Sequence, residues 1–515
     1  MNSFLQKHVY LCALIAGTGI VFSLSPFDFF PIAYISLAVL FYLLSHCNHR
    51  SRAIKLGWTF GVGLFGAGTS WVFQSVYEFA QAPLILAICL TSVFVLLLAL
   101  QIALFSVVVS IFRNCSTIIK FLIVYPAAWV LIEWVRGWLF TGFPWLYVGY
   151  SQIDTWFANF APVGGVLIVS WVTAIISGSL VVLFATSNAN SSPQRNRTIA
   201  ATTVVVLIAT AWSLSMKNWV VPQGEPLKIS LIQANIEQDK KWLPENRVPS
   251  VERYMAMTRA HWNSDLIVWP ETAIPGTFAE FNDLVVTPMR QEALGNQTNL
   301  LIGGFSQTTS GQVKNTAMIL GNESGEVDSY SKRHLVPLGE YIPLLEYLRW
   351  LDKWVKIPFN NLAKGDGDGL LTIGEHQAQV SICYEDAFGE EIIEDLPEAD
   401  YLVNLTNDGW FSHSLQPYQH MQIARFRALE SGRYLLRATN TGVSGIINQY
   451  GKVVYTIPAY EQGVVKGTIS ALSGTTPYVK YGNYLVVISA SLLLIFLLMR
   501  KSYFQTRHKD FELMS

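Results

Sequence analysis

The sequence predicts a multi-pass α-helical membrane bundle of about eight spans that carries an α/β domain with layered sheets. Three observations predict it. The chain has 515 residues of which only 14% are charged, against about 25% in an average soluble domain, and its mean hydropathy is +0.34. The shortage of charge is uneven, falling in residues 8–215 and again in 484–499. The stretch between them has ordinary polarity and alternates strand-like with helical runs.

A span needs roughly 20 mostly apolar residues. Runs at 8–24, 31–45, 56–76, 83–112, 120–138, 163–186, 199–216 and 482–499 meet that need, the second of them short and the fourth over-long. The first run lacks a small-residue cleavage site and leads straight through "SPFDFFP" into the next, so it reads as a retained span. The short loops set the orientation. "HCNHRSRAIK" (46–55), "FRNCSTIIK" (112–120), "SSPQRNR" (191–197) and the tail after the last span carry Lys and Arg, whereas "SPFDFFP" and "QSVYEFAQAP" carry none. Both termini are therefore expected in the cytoplasm and residues 217–481 outside it. The expected organisation is a bundle of about seven helices over 1–216, an extracytoplasmic domain over 217–481, a final span over 482–499 and a cytoplasmic tail over 500–515.

Within the polar region "LKISLIQANI", "SDLIVWPE", "NLLIGGFS", "QVSICYED" and "YLVNLTNDGW" read as strands, with hairpins at "AMILGNESGEVDSY" and "GIINQYGKVVY". "PYQHMQIARFRALESG" reads as a helix, with Pro417 near its start and Gly432 just past its end. The formal net charge of −1 argues against a nucleic-acid partner. The five cysteines, at 12, 47, 89, 115 and 383, show no metal spacing. Cys383 stands alone in the polar region and cannot be half of an internal disulfide there, although the compartment expected for it is one where paired thiols oxidise.

Three polar residues sit where apolar strands end: Glu271 after "LIVWP", Lys332 just before "HLVPLGE" and Cys383 after "VSI". Each alone is unremarkable, since a loop Glu or Lys is usually solvated and a buried Cys is usually inert. Together they form a working set. A thiolate is the nucleophile and needs a base to make it. A carboxylate can take that proton and return it to a leaving group. A cation beside the tetrahedral oxyanion stabilises charge that develops only in the transition state. A helix over "EDAFGEEIIEDL" is expected to aim its amides at Cys383, lowering its pKa and adding an oxyanion donor.

"WPETAIP", "YSKRHLVPLGEYIP" and "SICYED" resemble the Glu-Lys-Cys triad motifs of the nitrilase (carbon–nitrogen hydrolase) superfamily, which implies an α-β-β-α sandwich. The wording "HLVPLGEYIP", "GFPW" (142–145) and apolar runs on both sides narrow the resemblance to the apolipoprotein N-acyltransferases over the whole chain. That resemblance implies a bacterial inner-membrane enzyme with no cofactor or metal. It implies N-acylation of the diacylglyceryl-cysteine of apolipoproteins through a Cys383 thioester, the donor being a bilayer phospholipid such as phosphatidylethanolamine. Glu340 resembles a second essential carboxylate, Tyr384 and Glu385 follow the nucleophile as in the family, and Trp242 and Trp410 match pocket tryptophans. Gly409 stands where Ala is expected. Residues 340–359, with Trp350, Trp354 and Phe359 among lysines, read as a membrane-facing arm. The triad does not distinguish transfer from a membrane-tethered amidase that gives the acyl group to water. A transporter is a further reading, but Glu133 and Arg136 are the only clear ionisable pair in the apolar runs.

Overall fold

The computed structural model describes residues 7–184, 192–321, 328–341 and 361–514, with 502–514 described by backbone alone. The chain packs as two units. One comprises the residues through Thr69, Ser92–Lys217 and those from Tyr481 onward; the other comprises Ser70–Thr91 and Asn218–Lys480.

Five described helical stretches are long and apolar enough to cross a membrane: Leu84–Ile111, Thr117–Arg136, Trp156–Phe184, Pro193–Ser215 and Tyr484–Lys501. The chain is a multi-pass membrane protein. The expected total was eight, and the other three runs differ for physical reasons. Val9–Val21 and Pro31–Ser45 are apolar but have 13 and 15 residues. At 1.5 Å per residue these reach only about 20 and 22 Å, against a hydrocarbon core of about 30 Å. The run expected at 56–76 is the helix Arg50–Gly68, which opens on Arg50, Arg52 and Lys55 and stops before Thr69. Small residues let these helices close on one another. A Cβ on Gly17 would lie 2.0 Å from the Phe60 carbonyl oxygen, and one on Gly63 would lie 2.2 Å from that of Leu14. Backbones can approach this closely only where no side chain intervenes. Glu133 and Arg136 form a buried pair 4.0 Å apart. Glu133 also accepts from Trp129 Nε1 at 3.0 Å and from the Val148 amide at 2.9 Å. The pair therefore anchors the loop that follows its own helix.

The second unit is a sandwich of two six-stranded sheets. One sheet holds β1 (Val220–Gln233), β2 (Leu266–Val268), β3 (Asn299–Gln307), β4 (Val313–Leu320), β5 (Ser329–Ser331) and β12 (Gly463–Gly474), in the order β12-β1-β2-β3-β4-β5. The other holds β6 (Leu370–Ile373), β7 (His376–Ile382), β8 (Tyr401–Thr406), β9 (Leu435–Thr439), β10 (Ser444–Ile447) and β11 (Val453–Ile457), in the order β11-β10-β9-β8-β7-β6. The central pairs β1–β2, β2–β3, β7–β8 and β8–β9 are parallel. Such strands are buried on both faces and read as continuous apolar runs. Leu231, Val268 and Leu301 of one sheet pack against Val380, Val403 and Leu436 of the other. Helices close both outer faces. Pro244–Arg259 and Thr287–Gly295 cover the first through Val251, Tyr254 and Met289. Gln416–Ser431 covers the second through Met421, Ala424 and Ala428. The layers are α-β-β-α. Gly432 ends the last of these helices at φ +68°, where a residue without Cβ is unstrained.

The strands β6, β9 and β12 and the helix Thr287–Gly295 escaped the sequence reading. β12 pairs along nearly the whole of β1, and β9 sits between β8 and β10. In addition, residues 71–76, expected to end a span, and the loop residues 77–79 after them pack within the sandwich unit. Trp71 lies edge-on to Phe411 at 4.8 Å, and Phe79 edge-on to Trp410 at 5.6 Å.

Candidate active site

Parallel strands end on one side of a sheet, and the crevice beyond their carboxyl ends is where α/β folds bind ligands. Glu271 lies three residues past β2, Cys383 follows β7 directly and Lys332 follows β5 directly. Glu271 and Lys332 are buried, at 6% and 1% exposure. Lys332 Nζ lies 2.9 Å from Glu340 Oε2, 3.0 Å from Glu340 Oε1 and 3.7 Å from Glu271 Oε1. Burial alone would lower the Lys332 pKa, but the charges of Glu340 and Glu271 outweigh it and raise it, so the ammonium stays protonated. Glu340 is held in turn by the Val336 amide at 2.8 Å, four residues back.

Glu271 is less well provided for. Its Oε1 accepts from Asn315 Nδ2 at 2.7 Å, while its Oε2 is buried with no hydrogen-bond partner among the described residues. Burial pushes its pKa up, against the pull of Lys332. The Cys383 thiol is pushed well up by burial and then by the Glu271 charge, with Lys332 acting the other way. Charge on Glu271 and Lys332 thus acts directly on the thiol. The residue is partly exposed and has φ +54°. A residue with a Cβ in the left-handed region costs about 1–3 kcal/mol and persists where the surroundings enforce it.

That enforcement comes from Glu385. Its Oε2 accepts from the Ile382 amide at 2.7 Å; its Oε1 accepts from the Arg333 and His334 amides at 2.6 and 2.9 Å and from the Tyr330 hydroxyl at 2.8 Å. One carboxylate therefore ties the turn of Cys383 to the loop of Lys332. Tyr384 packs edge-on to Phe388 at 5.0 Å, and His334 stacks on Phe388 at 3.8 Å while its Nδ1 contacts Glu391 at 2.7 Å. His334 is thereby occupied as a packing residue. Trp242 lies half-buried against Phe305, Leu335 and Leu362. Trp410 sits at a separate turn after β8. Trp350, Trp354 and Phe359 of the expected arm lie outside the described residues.

The expected helix after Cys383 is a correction. The segment is a 3-10 turn Cys383–Ala387, a single helical turn Gly389–Ile392 and another 3-10 turn Ile393–Asp395. Its dipole is short, and its first turns carry Glu385, Asp386, Glu390 and Glu391. The thiol is raised rather than lowered.

Two groups of residues went unrecognised in the sequence. Asn315 on β4 donates to both Glu271 and Glu340, at 2.7 and 3.2 Å. Lys241, fully buried, donates to Thr272 Oγ1 at 2.8 Å, next to Glu271. Burial lowers its pKa to about 7 although the Glu271 charge opposes this. Behind Cys383 lies a closed ionic network. His420 Nε2 meets Asp386 Oδ1 at 2.7 Å and its Nδ1 meets Asp408 Oδ1 at 2.9 Å. Arg437 bridges the other oxygens of Asp386 and Asp408 at 2.9 and 3.1 Å. Burial and Arg437 would lower the His420 pKa, but the two aspartates outweigh them and raise it. Burial would raise Asp408, but His420 and Arg437 hold it at about 2.

The described residues gather an ammonium and two carboxylates whose charges act on a partly exposed thiol. Residues 16–179 match the apolipoprotein N-acyltransferase N-terminal domain family, and residues 228–478 match the carbon–nitrogen hydrolase family. The apolipoprotein N-acyltransferase of Methylococcus capsulatus is 40% identical over 92% of this chain and 92% of its own length. That of Vibrio cholerae is 37% identical over 94% of this chain and 96% of its own. The chain belongs to the apolipoprotein N-acyltransferase family. It is an acyltransferase with a carbon–nitrogen hydrolase domain in a multi-pass membrane protein.

Proposed function

We propose that this enzyme moves an acyl chain from a membrane phospholipid, phosphatidylethanolamine being the expected donor, to the α-amine of a diacylglyceryl-cysteine at an apolipoprotein N-terminus. The observation that carries the mechanism is the unsatisfied Oε2 of Glu271 beside a partly exposed, protonated Cys383.

Glu271 takes the thiol proton as the sulfur attacks the sn-1 ester carbonyl. Burial raises its pKa, which favours holding that proton once it is taken. Lys332, kept charged and positioned by Glu340, holds the oxyanion. The intermediate collapses, Glu271 returns the proton to the leaving glycerol oxygen, and lysophospholipid departs from a Cys383 thioester. The acceptor amine then attacks the thioester and gives its proton to Glu271. Collapse forms the amide, and the expelled thiolate is reprotonated by Glu271. A raised thiol pKa keeps the resting cysteine out of the thiolate form that oxidises.

Both termini are assigned to the cytoplasm and residues 217–481 to the periplasmic side, on the support of Lys and Arg in alternate short loops. Trp242, Trp410 and Tyr384 are assigned to the acyl and acceptor pocket, and Trp350, Trp354 and Phe359 to a membrane-facing arm. The enzyme in phospholipid vesicles tests the reading. The thioester is expected to persist until a diacylglyceryl lipopeptide is added, and then to discharge onto its amine. Steady release of free fatty acid without acceptor would show hydrolysis instead.

A further inference from the structure

The basic short loops enclose a cavity of about 450 Å³ within the membrane unit, lined by residues from the 44–53 stretch, the 106–125 stretch and Lys501. Arg50, Arg113, Lys120 and Lys501 supply its charge, and His49 adds an imidazole. No Asp or Glu lines it. Among the residues of this unit whose side chains are described, the acids are Asp28, Glu133 and Asp154, and Glu133 is engaged with Arg136; Asp510 and Glu512 follow in the stretch described by backbone alone. Two bonds hold the wall together: an Arg113 terminal nitrogen donates to the Asn48 carbonyl at 2.9 Å, and Lys501 Nζ to the Ile111 carbonyl at 2.8 Å. These bonds place cations side by side without neutralising any. Among the described residues none of the four forms an ion pair.

Gathered like charges repel, and a site that concentrates them favours an anion. The lining also says what kind. Asn114 adds an amide to the polar wall, while Leu44, Val109 and Ile111 present apolar wall; the hydroxyls of Ser45, Ser106 and Ser110 donate to the Tyr42, Ile102 and Val107 carbonyls. The volume falls within the roughly 300–1,000 Å³ of ligand pockets. A phosphate with acyl chains attached satisfies both kinds of lining, and basic pockets between membrane helices bind such headgroups. We propose that this cavity binds the headgroup of an anionic phospholipid. None of its lining residues belongs to the unit that carries Cys383.

The test uses the full chain in neutral detergent micelles, with phosphatidylglycerol, phosphatidylcholine and inorganic phosphate as probes. Native mass spectrometry is expected to show phosphatidylglycerol retained in preference to phosphatidylcholine, with a matching rise in Tm. The double variant Arg113→Gln, Lys120→Gln should weaken that retention by roughly 5-fold for each cation removed. If it does not fold, Lys501→Gln alone, on the last helix, should give the single-cation loss. Equal retention of the two lipids, or retention unchanged in the variants, would overturn the proposal. Inorganic phosphate raising Tm as much as phosphatidylglycerol would reduce the cavity to a free-anion site and overturn the lipid assignment.

Discussion

Two clusters of buried charge flank Cys383, and they differ in how completely their carboxylates are satisfied. In the network of Asp386, Asp408, His420 and Arg437, all four carboxylate oxygens meet a charged partner. In the cluster of Glu271, Lys332 and Glu340, both oxygens of Glu340 are held, but one oxygen of Glu271 is not. The first arrangement leaves no acceptor open for a proton in transit. The second does, next to a thiol. Buried polar groups are normally paired, and an open carboxylate oxygen whose charge acts on a thiol is suited to a moving proton. The comparison assigns structure to one cluster and chemistry to the other, and substitutions should separate them.

The largest effect on catalysis is expected from Glu271→Gln, which keeps the shape and loses the base. Acylation of Cys383 should slow by about 10²–10⁴, while Tm holds or rises because a carboxylate that burial disfavours has been removed. A parallel fall in Tm and rate would place Glu271 in the scaffold. Lys332→Met should cost about 10²–10³ in the same step. Normal acylation with failure only in transfer would contradict its role at the first oxyanion.

The complementary break is Arg437→Met. Removing one partner from a buried ionic network costs about 3–5 kcal/mol, so thermal unfolding should show a large loss of stability. Any protein that remains folded should still form the thioester. The network also predicts a pH response. His420 has its folded pKa raised, so its contribution is full below its ordinary 6.5 and is lost as pH rises through the folded value. Asp408 is held at about 2, so its contribution is present above its ordinary 3.8 and is lost as pH falls toward 2.

Lys241 sharpens the comparison because it stands between the two cases. Its amine binds a proton below about 7 when folded, against an ordinary 10.5. Between those values the unfolded chain holds more protons, so stability rises with pH. Lys241→Met should therefore be more stable than the native chain near pH 7, and the advantage should shrink toward pH 10, as read by Tm across that range. Losing the bond to Thr272 should lower the acylation rate by up to about 10²-fold through displacement of Glu271. The smallest effect is expected at Gly409. An added Cβ would meet Asn407, Gln238 and Thr441 at 3.1–3.2 Å. Gly409→Ala should shift stability by less than about 1 kcal/mol.

The proposed triad stands out in the sequence because Glu271 and Cys383 each end an apolar run, where a polar residue is conspicuous, and Lys332 stands two residues before "HLVP". The parallel strands β1, β2, β3, β7 and β8 were legible because each contains a run of apolar residues. Lys241 was hidden because "DKKW" looks like a solvated turn, and burial is not a property of four letters. Asp386, Asp408, His420 and Arg437 lie on four separate elements, and only folding gathers them. Arg437 also disguised its strand, since a charge in "LLRAT" breaks the apolar run that marks β7 and β8. The runs 8–24 and 31–45 suggest spans by apolar composition alone, and helix length, 13 and 15 residues, is not a property of composition.

The central claim is that the unsatisfied cluster performs the first acyl transfer on Cys383. Rapid-quench mass spectrometry of the peptide containing Cys383, after mixing enzyme with phospholipid in vesicles, tests it most directly. One acyl mass on Cys383 should accumulate in the native enzyme, slowly in Glu271→Gln and Lys332→Met, and never in Cys383→Ser. An adduct on another residue, or undiminished lipoprotein acylation by Cys383→Ser, would contradict the claim.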